Sequence, residues 1–141
     1  MVAVLVASNV SATTPQQQYV EKWAGVARSE MARSGVPASI TLAQGLLESN
    51  AGQSELALRS NNHFGIKCHS DWTGRSTLHR AEKGMECFRA YNSAEDSFRD
   101  HSDFLRYQDR YKSLFNLSPG DYKAWAKGLK KAGYASDPQY A

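Results

Sequence analysis

A chain of 141 residues has room for one domain and one core, and 41% hydrophobic with 22% charged residues is globular composition, not that of a disordered or membrane-embedded chain. The formal charge of +3 is mild, and no basic cluster exceeds Lys127, Lys130 and Lys131, so nothing marks a nucleic-acid-binding protein. A small positive excess suits work near an anionic polymer.

The chain opens on a short apolar run, Val2 to Ala7, and Val10-Ser11-Ala12 then puts small residues where a signal peptidase reads. The run lacks a basic start and is too short to span a bilayer. We therefore expect residues 1–18 to be a signal-peptide remnant and polar linker, and residues 19–141 to be the working domain of an exported protein with no stable membrane insertion. Two cysteines occur, Cys68 and Cys87, and export makes a disulfide between them the natural expectation.

From Tyr19 to Arg33, the residues Tyr19, Trp23, Val26, Ala27 and Met31 share one helical face, and Gly35 supplies the stop. Pro37 suits the first turn of a second helix, in which Ile40, Ala43 and Leu47 recur with Leu42 and Leu46 alongside. That pattern is apolar over most of its circumference and predicts the buried helix of the fold. It ends at Ser49-Asn50-Ala51-Gly52, and a short helix is expected over 54–58. Arg75 to His79 and Met85 to Tyr91 read as strands of a hairpin. Ser93-Ala94-Glu95-Asp96 resembles a capping box opening a helix with Phe98, His101 and Leu105 on one side. Ser118-Pro119-Gly120-Asp121 reads as another start, with Ser118 as cap, for a helix facing inward with Tyr122, Trp125, Ala126 and Leu129 and ending at Gly133. The fold class is α+β: a mostly helical domain with a small inserted β-hairpin lobe.

Glu48 is the first candidate for chemistry. It stands where the most apolar helix passes into a turn, and both burial and the negative end of a helix dipole favour a protonated carboxyl. A protonated carboxyl is what a general acid for glycoside cleavage requires. Cys68, His69, His79 and Cys87 lie close in sequence, but without the paired spacings that clamp zinc. Nothing lowers the thiol pKa of a Cys87/His101 nucleophile pair.

Residues 38–52, which include Gln44-Gly45-Leu46-Leu47-Glu48-Ser49-Asn50-Ala51-Gly52, resemble the catalytic-helix motif of the glucosaminidase family with a lysozyme-like fold, glycoside hydrolase family 73. The resemblance continues in Ser54-Glu55-Leu56-Ala57, Asn62-His63-Phe64-Gly65-Ile66-Lys67, Phe88-Arg89-Ala90-Tyr91-Asn92-Ser93 and Ser97-Phe98-Arg99-Asp100-His101. It closes with Gly133-Tyr134-Ala135-Ser136-Asp137-Pro138-Gln139-Tyr140-Ala141, so it covers about residues 20–141. The resemblance implies a peptidoglycan hydrolase that cuts the β-1,4 bond between N-acetylglucosamine and N-acetylmuramic acid, with Glu48 as general acid. It also implies a second carboxylate on the hairpin, matched by Glu82 with Glu86 as the alternative, and Tyr134 as the aromatic residue beside the acid. Asn62, Phe64, Trp72 and Tyr91 are the expected substrate-binding residues. No metal or organic cofactor is implied. The expected partner is the glycan strand, met by a monomer in the periplasm, the cell envelope or outside the cell. A lytic transglycosylase, a muramidase on the same strand, and a non-catalytic peptidoglycan-binding module are the alternatives. Relatives carry one more helix after the position of Tyr140, where this sequence stops.

Overall fold

The computed structural model describes residues 13–134, so the expected signal segment and the closing motif residues 135–141 lie outside the described residues. The first helix, α1 (Pro15–Ser34), begins four residues before the apolar periodicity does. Its start is set by polar chemistry: the Thr14 hydroxyl accepts from the Gln17 N–H, the Gln17 side chain accepts from the Thr14 N–H, and Pro15 follows the cap. The stretch read as linker therefore contributes the helix's first turn. Tyr19, Trp23 and Ala27 are buried along α1, and so is Glu30, whose carboxylate pairs with Arg33 at 2.7 Å.

Helix α2 (Ala38–Glu48) corrects the picture of a helix buried all round. Its interior residues are Ile40, Thr41, Gln44 and Gly45, whereas Leu47 is 41% exposed. Gly45 lets its neighbours close in, since a Cβ there would stand 2.6 Å from the Tyr19 hydroxyl oxygen. Three consecutive left-handed residues, Asn50, Ala51 and Gly52, reverse the chain after α2. The Ser49 hydroxyl braces this turn by donating to the Gly45 carbonyl and accepting from the Gly52 N–H. The short α3 (Glu55–Ser60) follows with Ser54 as its cap.

Strands β1 (Ser76–Ala81) and β2 (Gly84–Arg89) pair antiparallel, Leu78 opposite Cys87 and His79 opposite Glu86, with Glu82 and Lys83 in the turn. The expected disulfide is present: Cys68 is bonded to Cys87, and the Cys68 N–H donates to the Cys87 carbonyl at 3.0 Å. The bridge ties the loop after Phe64 to the hairpin.

Helix α4 (Ala94–Tyr107) starts at the Ser93 cap as expected. A 3₁₀ helix over Asp109–Asn116, with Tyr111 and Leu114 buried, has no counterpart in the sequence reading. The last helix, α5 (Tyr122–Lys131), is capped by Asp121, whose carboxylate accepts from the Ala124 N–H, and not by Ser118. Among the described residues no helix is long and apolar enough to cross a membrane.

Two apolar clusters hold these elements together. One gathers Val36, Ile40, Leu105, Trp125 and Leu129 with Tyr111 and Leu114; the other gathers Tyr19, Trp23, Phe64, Ile66 and Phe98. Phe104 packs against both, so it marks the seam between them.

Candidate active site

Glu48 opens onto that seam. It is the last residue of α2, and it lines a cavity of about 280 Å³ together with Phe64, Gly65, Lys67, Arg110 and Tyr134. The cavity walls come from both clusters, with Phe64 and Ile66 on one side and Phe104, Tyr111 and Tyr134 on the other. Glu48 is exposed, whereas the apolar run of its helix predicts a buried residue. Gly65 makes room for it: the backbone there has φ +66°, and a Cβ would stand 3.3 Å from Glu48 Oε2.

Tyr134 lines the same cavity as Glu48. Burial first, then the charge of Glu48, then Tyr111 raise the Tyr134 hydroxyl well above its ordinary value of 10.0. The Tyr134 hydroxyl is therefore held as a neutral O–H.

Behind these residues lies a support that the sequence reading did not assign. The His101 ring lies flat on Phe64, with centroids 3.9 Å apart, and meets Tyr134 edge-on at 6.1 Å. Its Nε2 is 2.6 Å from Gln44 Oε1, and with an amide oxygen as acceptor that nitrogen carries the proton. Burial pushes His101 down to about 3, which keeps it neutral. Gln44 sits one turn before Glu48 on α2, so one hydrogen bond links the acid's helix to the ring that backs Phe64. The visible signal was the pair itself, two polar residues on otherwise apolar helix faces.

The other expected residues divide. Asn62 is buried and fully engaged: its Nδ2 donates to the carbonyls of Ile66 and Arg89 at 3.0 and 2.9 Å, and its Oδ1 accepts from the N–H groups of Phe64 and Ile66. These four hydrogen bonds shape the loop that carries Phe64. Trp72 and Tyr91 line a different cavity. Trp72 donates through Nε1 to the Arg75 carbonyl, and the buried Tyr91 hydroxyl donates to Asp100 Oδ2 at 2.5 Å.

Glu82 stands exposed in the hairpin turn, outside the lining of the Glu48 cavity. Glu86 lies within β2 and pairs with Lys67 at 3.0 Å, and Lys67 does line that cavity. Because Cys68 and Cys87 are bonded to each other, neither sulfur is a thiolate ligand for zinc or a nucleophile.

Comparison with known proteins places the chain in a family. The family model described as mannosyl-glycoprotein endo-beta-N-acetylglucosaminidase (Glucosaminidase) matches residues 24–141. The chain is 35% identical to the peptidoglycan hydrolase FlgJ of Pseudomonas aeruginosa over 136 residues, which cover 88% of this chain and 34% of that protein. It is 36% identical to the exo-glucosaminidase LytG of Bacillus subtilis, covering 89% of this chain and 48% of that one. The chain thus spans between a third and a half of the length of these curated relatives. Among solved structures, the peptidoglycan hydrolase from Sphingomonas sp. A1 superposes with a TM-score of 0.74 at 36% identity, covering 88% of this chain and 81% of that chain. The glycoside hydrolase domain of Salmonella typhimurium FlgJ gives 0.68 at 29% identity, covering 89% and 80%.

Proposed function

Because the chain belongs to the glucosaminidase family, we propose that it hydrolyses the glycan strands of bacterial peptidoglycan at the β-1,4 bond between N-acetylglucosamine and N-acetylmuramic acid, with Glu48 as the general acid. The observation that carries this reading is the pairing of Glu48 with Tyr134 in one cavity walled by Phe64.

In this mechanism Glu48 gives its proton to the bridging oxygen as the bond from that oxygen to the anomeric carbon breaks. Substrate closing the cavity desolvates this carboxyl. The Tyr134 hydroxyl, held neutral, donates a hydrogen bond to the incoming water or to the sugar's acetamido oxygen. On the inverting route, water attacks the anomeric carbon and loses its proton to a second carboxylate. Glu82 takes that role when the hairpin tip swings over the groove. A second reading rests on the Lys67–Glu86 ion pair, which puts Glu86 one side chain from the cavity. Attack by the substrate's own acetamido oxygen needs no second carboxylate, and Glu48 is the one carboxylate among the described residues lining the cavity. The disulfide supports an oxidising compartment, in keeping with export to the cell envelope.

The test is digestion of purified peptidoglycan by wild type, Glu48→Gln, Glu82→Gln and Glu86→Gln, with mass spectrometry of borohydride-reduced fragments. Reduced N-acetylglucosamine ends that vanish with Glu48→Gln are expected, and whichever hairpin variant also abolishes them identifies the second carboxylate. Reduced muramic acid ends would make the enzyme a muramidase, anhydro-muramic ends a transglycosylase. A folded wild type that binds glycan without releasing fragments would be a binding module.

A further inference from the structure

Beside the acid's cavity lies a second and larger one, of about 480 Å³, bounded by Trp72, Tyr91 and one side of α4. The two cavities are one side chain apart. The guanidinium of the buried Arg89 lies 4.6 Å from the Trp72 ring centroid and 5.7 Å from that of Phe104, and Phe104 lines the Glu48 cavity. This partition is firmly held. Arg89 donates to Asp100 Oδ2 at 2.9 Å and to the Lys67 carbonyl at 3.0 Å, and Tyr91 donates to the same Asp100 oxygen.

The lining carries charge of both signs. Asp96 and Arg99 are exposed at its edge, and the side chain of neither makes an ion pair or hydrogen bond with another described residue. Asp103 and Arg75, also in the lining, are engaged with Arg33 and Asn92. A neutral sugar is held best by an open aromatic face, but Arg89 lies over Trp72, while Tyr91 is buried and meets that indole edge-on at 5.8 Å. A carboxylate and a guanidinium can each hydrogen-bond sugar hydroxyls, but the pair is fully matched only by a ligand that carries both a cation and an anion. Peptidoglycan has one component with both ammonium and carboxylate groups, joined by small apolar side chains: the peptide stem that branches sideways from the muramic acid.

Given the peptidoglycan reading above, on which this rests, we infer that the second cavity receives the peptide stem of a sugar bound at Glu48. Asp96 takes a stem ammonium, Arg99 takes a stem carboxylate, and the Trp72–Tyr91 wall packs on the alanine methyl groups. The site would make this enzyme a reader of substituted glycan, with stem-bearing strands preferred over bare ones.

Two measurements test this. The first compares kcat/KM on glycan strands with intact stems and on the same strands stripped by an amidase, for wild type, Asp96→Asn and Arg99→Gln. Wild type should favour intact strands, and each variant should bring the ratio down by up to about fivefold, the value of one exposed charge pair. Loss of folding would lower both rates and leave the ratio alone. The second titrates a synthetic stem tetrapeptide containing a diamino acid into wild type and both variants, following the Trp72 indole N–H by NMR. A shift in wild type that weakens in both variants is expected. Equal wild-type rates on the two strands, or no Trp72 shift at millimolar peptide, would overturn the inference. Failure to cut either strand, with the peptide still bound, would instead overturn the hydrolase reading.

Discussion

Lowering the pH from about 7.5 to about 5 should destabilise the fold through two histidines that it keeps neutral. His63 accepts or donates through Nδ1 at 2.9 Å from the Tyr19 hydroxyl and is packed against Trp23, and His101 is bonded to Gln44 beneath Phe64. Burial lowers both from 6.5, His63 to about 4 and His101 to about 3. The nearby Lys22 adds to the effect at His63 and Glu95 opposes it. The unfolded chain therefore binds more protons below pH 6.5. The stabilisation is complete above that value and is lost as the pH falls toward the folded-state values. At about pH 5, one and a half units below the unfolded value, each histidine costs about 2 kcal/mol, on the order of 4 kcal/mol together. For a domain whose whole stability is roughly 5–15 kcal/mol, that is a large share. Urea unfolding at both pH values should show the midpoint falling with an unchanged slope, and NMR should show both imidazoles neutral at about pH 5 in the native protein. A pH-independent midpoint, or native imidazoles titrating near 6.5, would refute the reasoning.

Three further outcomes are expected. Cys68→Ser with Cys87→Ser should lower stability by about 3 kcal/mol, the chain-entropy value for a loop closed over a sequence separation of 19, measured by thermal unfolding against the oxidised protein. Tyr134→Phe should reduce kcat roughly ten- to hundredfold with little change in KM, because it deletes one donor from the reacting region and leaves the ring in place; a fall in KM effects alone would argue for a packing role. Asn62→Ala should cost about 2–4 kcal/mol in denaturant unfolding, since it strands the buried Phe64 and Ile66 N–H groups and the Ile66 and Arg89 carbonyls, and a loss of binding without a loss of stability would mark it as a substrate contact.

Much of the fold was legible where apolar spacing and capping chemistry agreed. Tyr19, Trp23 and Ala27 faced inward as their period required, and Ser93 capped the helix it preceded, while Ser54, read as the first residue of its helix, proved to be the cap. Spacing misled at α2 because an apolar circumference says how much can be buried and not which side is: the interior took Thr41 and Gln44 while Leu47 stayed exposed. The 3₁₀ helix left no such period to read, having only Tyr111 and Leu114 buried. At the site, that Glu48, Phe64 and Tyr134 would line one cavity was legible only through the family resemblance. The sorting of Asn62, Trp72 and Tyr91 was not legible, since whether a polar or aromatic side chain lines a groove or props it up depends on backbone partners that lie up to 27 residues away.

A hairpin held mainly at its root would act mechanically as a lever. Here the β1 residues alternate between exposed and half-buried, and full burial is reached only at the root, at Phe88 and Arg89, where Asp100, the Lys67 carbonyl and the Cys68 bridge clamp it. From that fulcrum to the turn is about five residues, roughly 17 Å of strand, so a rotation of about ten degrees at the root carries the Glu82 backbone some 3 Å, on the order of one hydrogen-bond length. Were Glu82 the second carboxylate proposed above, its distance from Glu48 would then be set by an angle at Arg89 more than by a fixed dimension of the fold. Changes in the clamp at Arg89 would then alter that spacing without touching either carboxylate.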